Sequence, residues 1–114
     1  MFHEPATVDP ALIAWDEAHK GTVTTTELAT IVTALDTVGD FHQPVLIMIG
    51  EHDFGFHVGS DPSAVVAAER PLLGSRAPSV EAIVIAGGGH VPHGAPGADK
   101  CYARAQDWIA DVVK

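Results

Sequence analysis

An aspartate and a histidine, each at the end of a glycine-containing stretch, are the residues of this chain best suited to chemistry. Asp53 ends the sequence Gly-Glu-His-Asp, and His90 ends the sequence Gly-Gly-Gly-His. A carboxylate can accept the Nδ1 hydrogen of an imidazole, fix the tautomer of the ring and stabilise the imidazolium that forms when the ring takes a proton. The other ring nitrogen can then act as a general base. Asp53 and His90 are therefore predicted to be the catalytic acid and the catalytic histidine of one site.

Both residues follow stretches that predict strands. The first apolar run extends from Val45 to Ile49, and the second occupies residues 81–86. Continuous apolar runs between breakers are typical of strands that are covered on both faces in a parallel sheet. A helical pattern between the runs makes the unit βαβ, in which the loops after both strands emerge at the same edge of the sheet. Since neighbouring strands lie about 5 Å apart, the side chains of Asp53 and His90 are expected to meet at that edge.

Four helices are predicted around the two strands from end signals and apolar periodicity. Asp9 is a cap for the first helix and Gly21 its exit, while Thr24 and Glu27 have the spacing of a capping box for the second. Pro71 is expected to stop the third. The predicted spans are residues 10–20, 24–35, 61–69 and 98–112. The inward face of the last helix is predicted to contain Cys101, Tyr102, Ala105, Trp108, Ile109 and Val112.

Length, charge and composition limit the classes of partner. The 114 residues make one domain or part of one. Six basic and fifteen acidic side chains give a net charge of −9, which repels phosphate and argues against nucleic acid or anionic lipid as a partner. No apolar run is long enough to span a bilayer, and the N-terminal sequence is not that of a signal peptide. A soluble chain is expected, cytoplasmic by default, or secreted if a leader lies upstream. Cys101 is the single cysteine, so it forms no internal disulfide and is expected to be a buried small hydrophobe.

The strand-and-loop sequences resemble those of a known family. Residues 44–53 resemble the acid-bearing strand of the α/β-hydrolase family, and residues 83–90 are similar to its last strand and histidine loop. The resemblance covers roughly residues 41–114, the C-terminal βαβα part of that fold. Residues 1–40 form a helical segment that resembles, more weakly, the end of the cap preceding the acid strand. The resemblance implies a partial α/β-hydrolase fold whose N-terminal sheet strands are missing, with Asp53 and His90 in the acid and histidine positions.

The family also has a nucleophile, which this chain lacks. The nucleophile elbow has the pattern G-x-S-x-G between a strand and a helix, and no such pentapeptide occurs here. The four serines are Ser60, Ser63, Ser75 and Ser79, and none follows a predicted strand into a helix. The family's order places the nucleophile upstream of Met1, and its identity as serine, rather than cysteine or aspartate, is implied by the resemblance alone. The resemblance thus implies hydrolysis of an ester, amide or similar bond in a small-molecule substrate, without an organic cofactor, and a chain that is inactive by itself.

A two-stranded parallel sheet is not expected to be stable with both of its outer edges unpaired. Small parallel sheets are not normally independent folds, because their outer edges carry unpaired backbone groups. The edge from Val45 to Ile49 is therefore expected to pair either with a second copy of the chain or with a missing N-terminal part.

Two other functions remain open. The first is a histidine-based metal site, since His90 and His93 have an H-x-x-H spacing and His42, His52 and His57 could converge with them. Neither Cys pairs nor an H-E-x-x-H motif accompanies these histidines, and the spacing lies in a loop, so no metal ligand is assigned. The second is a non-catalytic binding or assembly module that uses its exposed edge strand for strand addition.

Several other side chains have expected roles. Glu51 is the reserve acid, and His52 is expected to line the cleft or face solvent. Trp15 and Trp108 are expected to pack in the interior. Three residues are predicted to line the substrate pocket: Phe54, Phe56 and His93.

Overall fold

The described part of the chain has mixed α/β structure. The computed structural model describes residues 3–35, 39, 41–55 and 59–113, and for residues 32, 34 and 35 it describes only the backbone. Four α-helices, two strands and one 3₁₀ turn occur in this part. In chain order they are α1 (Pro10–His19), α2 (Thr25–Leu35), β1 (Val45–Gly50), α3 (Pro62–Leu73), β2 (Val80–Ile85), the 3₁₀ turn (Pro92–Gly94) and α4 (Ala98–Val112).

The two strands form a parallel sheet, as the apolar runs predict. Val45 pairs with Val80 at one end, and Gly50 pairs with Ile85 at the other. Helix α3 is the crossover between the strands, which confirms the βαβ unit. Strand β2 begins and ends one residue earlier than predicted. Because the strands run in the same direction and in register, the loops that follow Gly50 and Ile85 leave from the same edge of the sheet.

The helix starts follow the predicted capping chemistry. The Asp9 side chain accepts a hydrogen bond from the Ala11 amide at 2.8 Å. At the start of α2 the Thr24 amide donates to Glu27 Oε2 at 2.7 Å, and the Glu27 amide donates to Thr24 Oγ1 at 3.1 Å. This reciprocal pair is the capping box that the sequence predicts. The end of α1 differs slightly, because the chain is already extended at Lys20, one residue before the predicted exit.

The prediction that Pro71 stops the third helix is wrong. Helix α3 continues to Leu73 and leaves at Gly74, which has a φ of 81°. A proline near the end of a helix removes one amide donor, and the turns before it keep theirs. The left-handed backbone at Gly74, which favours glycine, ends the helix.

The hydrophobic core is small and lies between α3 and β2. Val65 and Ile85 are the largest fully buried side chains among the described residues. Strand β1 is only half-buried from Val45 to Met48, so the predicted cover on both faces is incomplete. The reason is that β2 is the one strand that pairs with β1 in the described part of the chain. The other buried hydrophobic residues are Val8, Ile49, Ala77, Ala95 and Ala98.

Helix α4 buries a narrower face than its sequence predicts. Cys101, Ala105 and Trp108 are half-buried, and the indole Nε1 of Trp108 donates to Glu81 Oε1 on β2 at 2.9 Å. Three other members of the predicted inward face are exposed: Tyr102, Ile109 and Val112. A sheet of two strands is too narrow to cover the whole apolar stripe of a 15-residue helix.

The N-terminal helices leave apolar side chains in solvent. Leu28 and Ile31 on α2 are 60% and 55% exposed, and Trp15 on α1 is 59% exposed, contrary to the predicted interior position. The chain exposes 7563 Å², whereas a compact monomer of 11.9 kDa exposes about 5,950 Å². No helix in the described part is both long and apolar enough to cross a membrane.

Candidate functional site

The loops after β1 and β2 are joined by backbone hydrogen bonds. The Glu51 amide donates to the Ile85 carbonyl at 3.0 Å, and the His52 amide donates to the Gly88 carbonyl at 2.8 Å. Parallel pairing thus continues past the ends of both strands. Backbone hydrogen bonds alone therefore hold the two loops against each other.

Glycine at position 50 permits this close approach. A Cβ on Gly50 would lie 2.5 Å from the carbonyl carbon of Gly88 and closer still to the carbonyl oxygens of Gly88 and Gly89. Carbon atoms pack at about 3.5–4.0 Å, so no larger residue fits without separating the loops. Glycine beside the candidate site is therefore needed for the close contact between two backbones, and it also lets the chain turn sharply.

Asp53 and His90 meet at this edge of the sheet. His90 Nδ1 lies 3.0 Å from Asp53 Oδ1 and 3.1 Å from Oδ2. The Asp53 side chain is 5% exposed and the His90 side chain 31% exposed. Asp53 Oδ1 also accepts a hydrogen bond from the Gly55 amide at 2.9 Å. Because a carboxylate only accepts hydrogen bonds, the proton between the two residues belongs to Nδ1, and Nε2 is the nitrogen left to exchange protons.

The neighbouring side chains on the first loop, Glu51 and His52, have other neighbours. The Glu51 carboxylate accepts a hydrogen bond from the Gly87 amide at 2.9 Å, so it ties the two loops together. The His52 side chain is 45% exposed, with its Nε2 4.0 Å from Glu51 Oε2. Asp53, rather than the reserve acid Glu51, is thus the carboxylate in contact with His90.

The N-terminal segment supports the histidine loop from outside the sheet. Thr7 Oγ1 donates to the Gly87 carbonyl at 2.6 Å. A Cβ on Gly94 would lie 2.7 Å from Leu12 Cδ2 and 3.5 Å from Val8 Cγ1, so α1 and the residues before it pack closely on the loop. These contacts connect the N-terminal segment, which the sequence predicts to be helical over residues 1–40, to the βαβ unit.

An open cleft of about 270 Å³ lies beside the pair. It extends from Asp53 and His90 along β1, and its other lining residues are Ile47, Met48, Ile49 and Glu69. Glu69 brings a second carboxylate to the cleft, from helix α3. Nothing in the sequence singles it out, because its position depends on how α3 packs on the sheet.

The predicted substrate-lining residues have different positions. The Phe54 ring is tilted at 49° to the His90 ring with 6.1 Å between their centroids, and Phe54 is 65% exposed. His93 forms a hydrogen bond with the hydroxyl of Tyr102 on α4. Phe56 lies outside the described residues. Phe54 is thus the predicted lining residue that the structure brings beside His90.

No candidate nucleophile lines this cleft within the described residues. The Ser63 hydroxyl donates to the Asp61 carboxylate at the start of α3, at 2.8 Å. Ser79 precedes β2 and its carbonyl accepts from the Val45 amide, so it lies at the opposite end of the sheet. Ser60 and Ser75 are exposed, and neither lines the cleft.

The histidines of the metal hypothesis do not converge where the structure describes them. His42 precedes β1, and its Nε2 lies 3.3 Å from Arg76 Nη1, while His90 follows the other end of the sheet. His57 lies outside the described residues. In the described part of the chain, no three or more His, Cys, Asp or Glu side chains are grouped to hold a metal ion.

A carboxylate–imidazole pair beside an open cleft is an arrangement that can position a general base. The sequence matches no protein-family model and no curated protein. The class of function therefore has to be argued from the pair, the sheet edge and the cleft.

Proposed function

We propose that this chain supplies the acid and the histidine of an α/β-hydrolase catalytic triad, for hydrolysis of an ester, amide or similar bond in a small-molecule substrate. The observation that carries the proposal is the hydrogen-bonded contact of Asp53 with His90 at the carboxyl edge of a parallel sheet. Open α/β sheets bind their ligands at this edge. The chain alone lacks the nucleophile, so it is inactive by itself.

The geometry of the pair supports a proposed role for each residue. Asp53 accepts the hydrogen bond that His90 Nδ1–H donates and thereby keeps His90 in one tautomer and one orientation. His90 Nε2 takes the proton of the attacking nucleophile and later gives it to the leaving group. The buried carboxylate stabilises the imidazolium between these steps. Neither step requires an organic cofactor or a metal ion.

The nucleophile would come from a polypeptide segment that pairs with the outer edge of β1. Ile47, Met48 and Ile49 line the cleft that reaches Asp53 and His90, so a strand added there would end beside the pair. The chain exposes about 1,600 Å² more than a compact monomer of its mass, which is about twice the roughly 800 Å² that each partner buries in a standard protein–protein interface. This excess exposed area supports the proposal that a further segment of the same fold packs against the chain.

The test is to translate the reading frame upstream of Met1 and express it joined to this chain. We expect a G-x-S-x-G stretch, or its counterpart with cysteine or aspartate, between a strand and a helix. The joined protein should hydrolyse p-nitrophenyl acyl esters, and Asp53→Asn should lower its kcat by about 10⁴-fold. His90→Ala should abolish the activity, and Asp107→Asn is the matched control on α4. An upstream frame without a nucleophile, or full activity in both site variants, would refute the proposal.

A binding or assembly module is the second candidate, because the outer edge of β1 is unpaired within the described residues. Such an edge can add a strand from another chain. Light scattering would then show a stable dimer that Met48→Lys dissociates and His90→Ala leaves unchanged. A monomer at all concentrations would count against self-association through this edge.

A further inference from the structure

Three consecutive glycines lie directly before His90 in the loop after β2. Gly87, Gly88 and Gly89 are of the residue type that loses the most conformational freedom on folding. The His90 side chain is 31% exposed, so packing around the ring alone does not hold it. The position of the imidazole therefore depends on the bonds that hold the glycine backbone.

Gly87 is held on both sides by side chains from other parts of the chain. Its amide donates to Glu51 Oε2 at 2.9 Å, and its carbonyl accepts from Thr7 Oγ1 at 2.6 Å. The amide and the carbonyl of one residue belong to different peptide planes, so the two bonds fix both planes that meet at the Gly87 Cα. They hold this residue in the left-handed region, with a φ of 66°, which glycine permits.

Glu51 is itself held in place by its backbone. Its amide donates to the Ile85 carbonyl at 3.0 Å, and its carbonyl accepts from the Gly59 amide at 2.8 Å. A hydrogen bond from a backbone N–H to a carboxylate is about twice as strong as one between neutral groups. The first support of Gly87 therefore comes from a fixed residue and is a strong bond.

Thr7 is held in place by a turn in the segment before α1. The Thr7 and Val8 amides both donate to the Glu4 carbonyl, at 3.1 and 3.2 Å, and Val8 is 4% exposed. The Thr7 hydroxyl lies 3.3 Å from the Glu4 carbonyl, so its single proton goes to the closer carbonyl of Gly87. A Cβ on Gly87 would lie 3.0 Å from Thr7 Cγ2. The second support of Gly87 is therefore also fixed, and it packs closely on the loop.

We propose that Glu51 and Thr7 are positioning residues for His90. By holding both peptide planes at Gly87, they keep the imidazole where its Nδ1 reaches Asp53 and its Nε2 can serve as the base. Thr7 lies before α1, so the N-terminal segment contributes to the geometry of the base. The catalytic consequence rests on the proposed hydrolysis, whereas the positioning can be measured without a nucleophile.

The test uses the 114-residue chain and the rate at which the His90 Nδ1–H proton exchanges with water, measured by NMR. The bond to Asp53 slows this exchange in the unaltered chain. Thr7→Val keeps the shape of the side chain and removes the hydroxyl. We expect exchange to be about five times faster in this variant, because the loss of one hydrogen bond makes opening of the loop about five times more frequent. Thr7→Ser keeps the hydroxyl and should restore slow exchange.

Variants of Glu51 test the other support. Glu51→Ala should speed the exchange of the His90 Nδ1–H proton about tenfold, because it removes a charge-assisted bond. Glu51→Gln keeps an acceptor oxygen at the same reach and should lie between the unaltered chain and Glu51→Ala. Asp61→Ala is the matched control, because it removes the cap of α3 and so lowers stability away from the loop. It should change the exchange rate by less than about twofold.

The outcomes separate positioning from general stability. Exchange in Thr7→Val or Glu51→Ala that matches the unaltered chain, or that rises equally in Asp61→Ala, would overturn the proposal. An unprotected Gly87 amide in the unaltered chain would overturn it as well, and this measurement requires no variant to fold. If the variants behave as expected but the protein joined to its upstream sequence hydrolyses no ester, the hydrolase proposal fails while the positioning of His90 stands.

Discussion

Replacement of Gly50 by alanine tests whether the contact between the two loops creates the candidate site. The added Cβ would lie 2.5 Å from the carbonyl carbon of Gly88, where about 3.5 Å is the shortest comfortable separation. The loops must therefore move apart by about 1 Å. If the side chains move with their loops, the 3.0 Å distance between His90 Nδ1 and Asp53 Oδ1 grows to about 4 Å, which is beyond hydrogen-bond range.

The same movement affects stability. It lengthens the backbone bonds from Glu51 to Ile85 and from His52 to Gly88, each with a net contribution of about 1 kcal/mol. With the residual strain, we expect Gly50→Ala to lower the free energy of unfolding by about 2–4 kcal/mol. Gly21→Ala is the matched control, because a Cβ there has nothing within 4 Å. It should change stability by less than about 0.5 kcal/mol.

The assay is urea denaturation followed by tryptophan fluorescence, together with the NMR signals of the His90 ring. Loss of the Nδ1–H signal in Gly50→Ala, with its retention in Gly21→Ala, would show that the loop contact positions the pair. If Gly50→Ala has the stability of the unaltered chain and keeps that signal, then the close approach of the loops is not what brings Asp53 and His90 together.

Three further predictions concern the elements that support the site. Ile85→Ala should lower the free energy of unfolding by about 2–5 kcal/mol because Ile85 is fully buried, whereas Ile109→Ala, at a position 52% exposed, should change it by less than about 1 kcal/mol in the same urea titration. Thr7→Val should cost about 1 kcal/mol and shift the Gly87 and Gly88 amide signals, since it removes the bond to the Gly87 carbonyl, while Thr22→Val in an exposed loop should do neither. Hydrogen bonds from Thr24 lower the pKa of Glu27 in the folded chain. The cap is therefore complete above the ordinary glutamate pKa and is lost as the pH falls through the lowered pKa, so the Thr24 amide signal should move on acidification. An equal movement of this signal in a Glu27→Gln chain would disprove the link.

The chain order of strands and helices could be predicted because each depends on local signals. The apolar run after Pro44 and the Asp61-Pro62 start of α3 are patterns of a few neighbouring residues. Parallel pairing then follows from the helix between the strands, and it brings Asp53 and His90 to one edge. Local rules do not predict the extension of α3 past Pro71, because they do not weigh the packing of α3 on β2.

The parts of the site that could not be predicted depend on residues distant in sequence. Glu69 reaches the cleft from α3, and no characteristic spacing in the sequence relates it to Asp53 or His90. The sequence predicts an interior position for Trp15 because large aromatic side chains usually are buried, but α1 has too little sheet beside it to cover the indole.

The choice between Glu51 and Asp53 shows how a turn assigns roles to two similar side chains. Glu51 follows the last residue of β1, and its longer side chain reaches the Gly87 amide on the neighbouring loop at 2.9 Å. Two residues later the chain has turned, with the Asp53 amide bonded to the Gly50 carbonyl at 3.2 Å. That turn directs the shorter carboxylate back over the strand ends, where the Gly55 amide and His90 share it. An exchange of the two side chains would leave an aspartate at position 51 too short for the Gly87 amide and would place a carboxylate one methylene too long in the buried position beside His90. The order Glu-His-Asp is therefore itself part of the geometry that links the sheet edge to the imidazole.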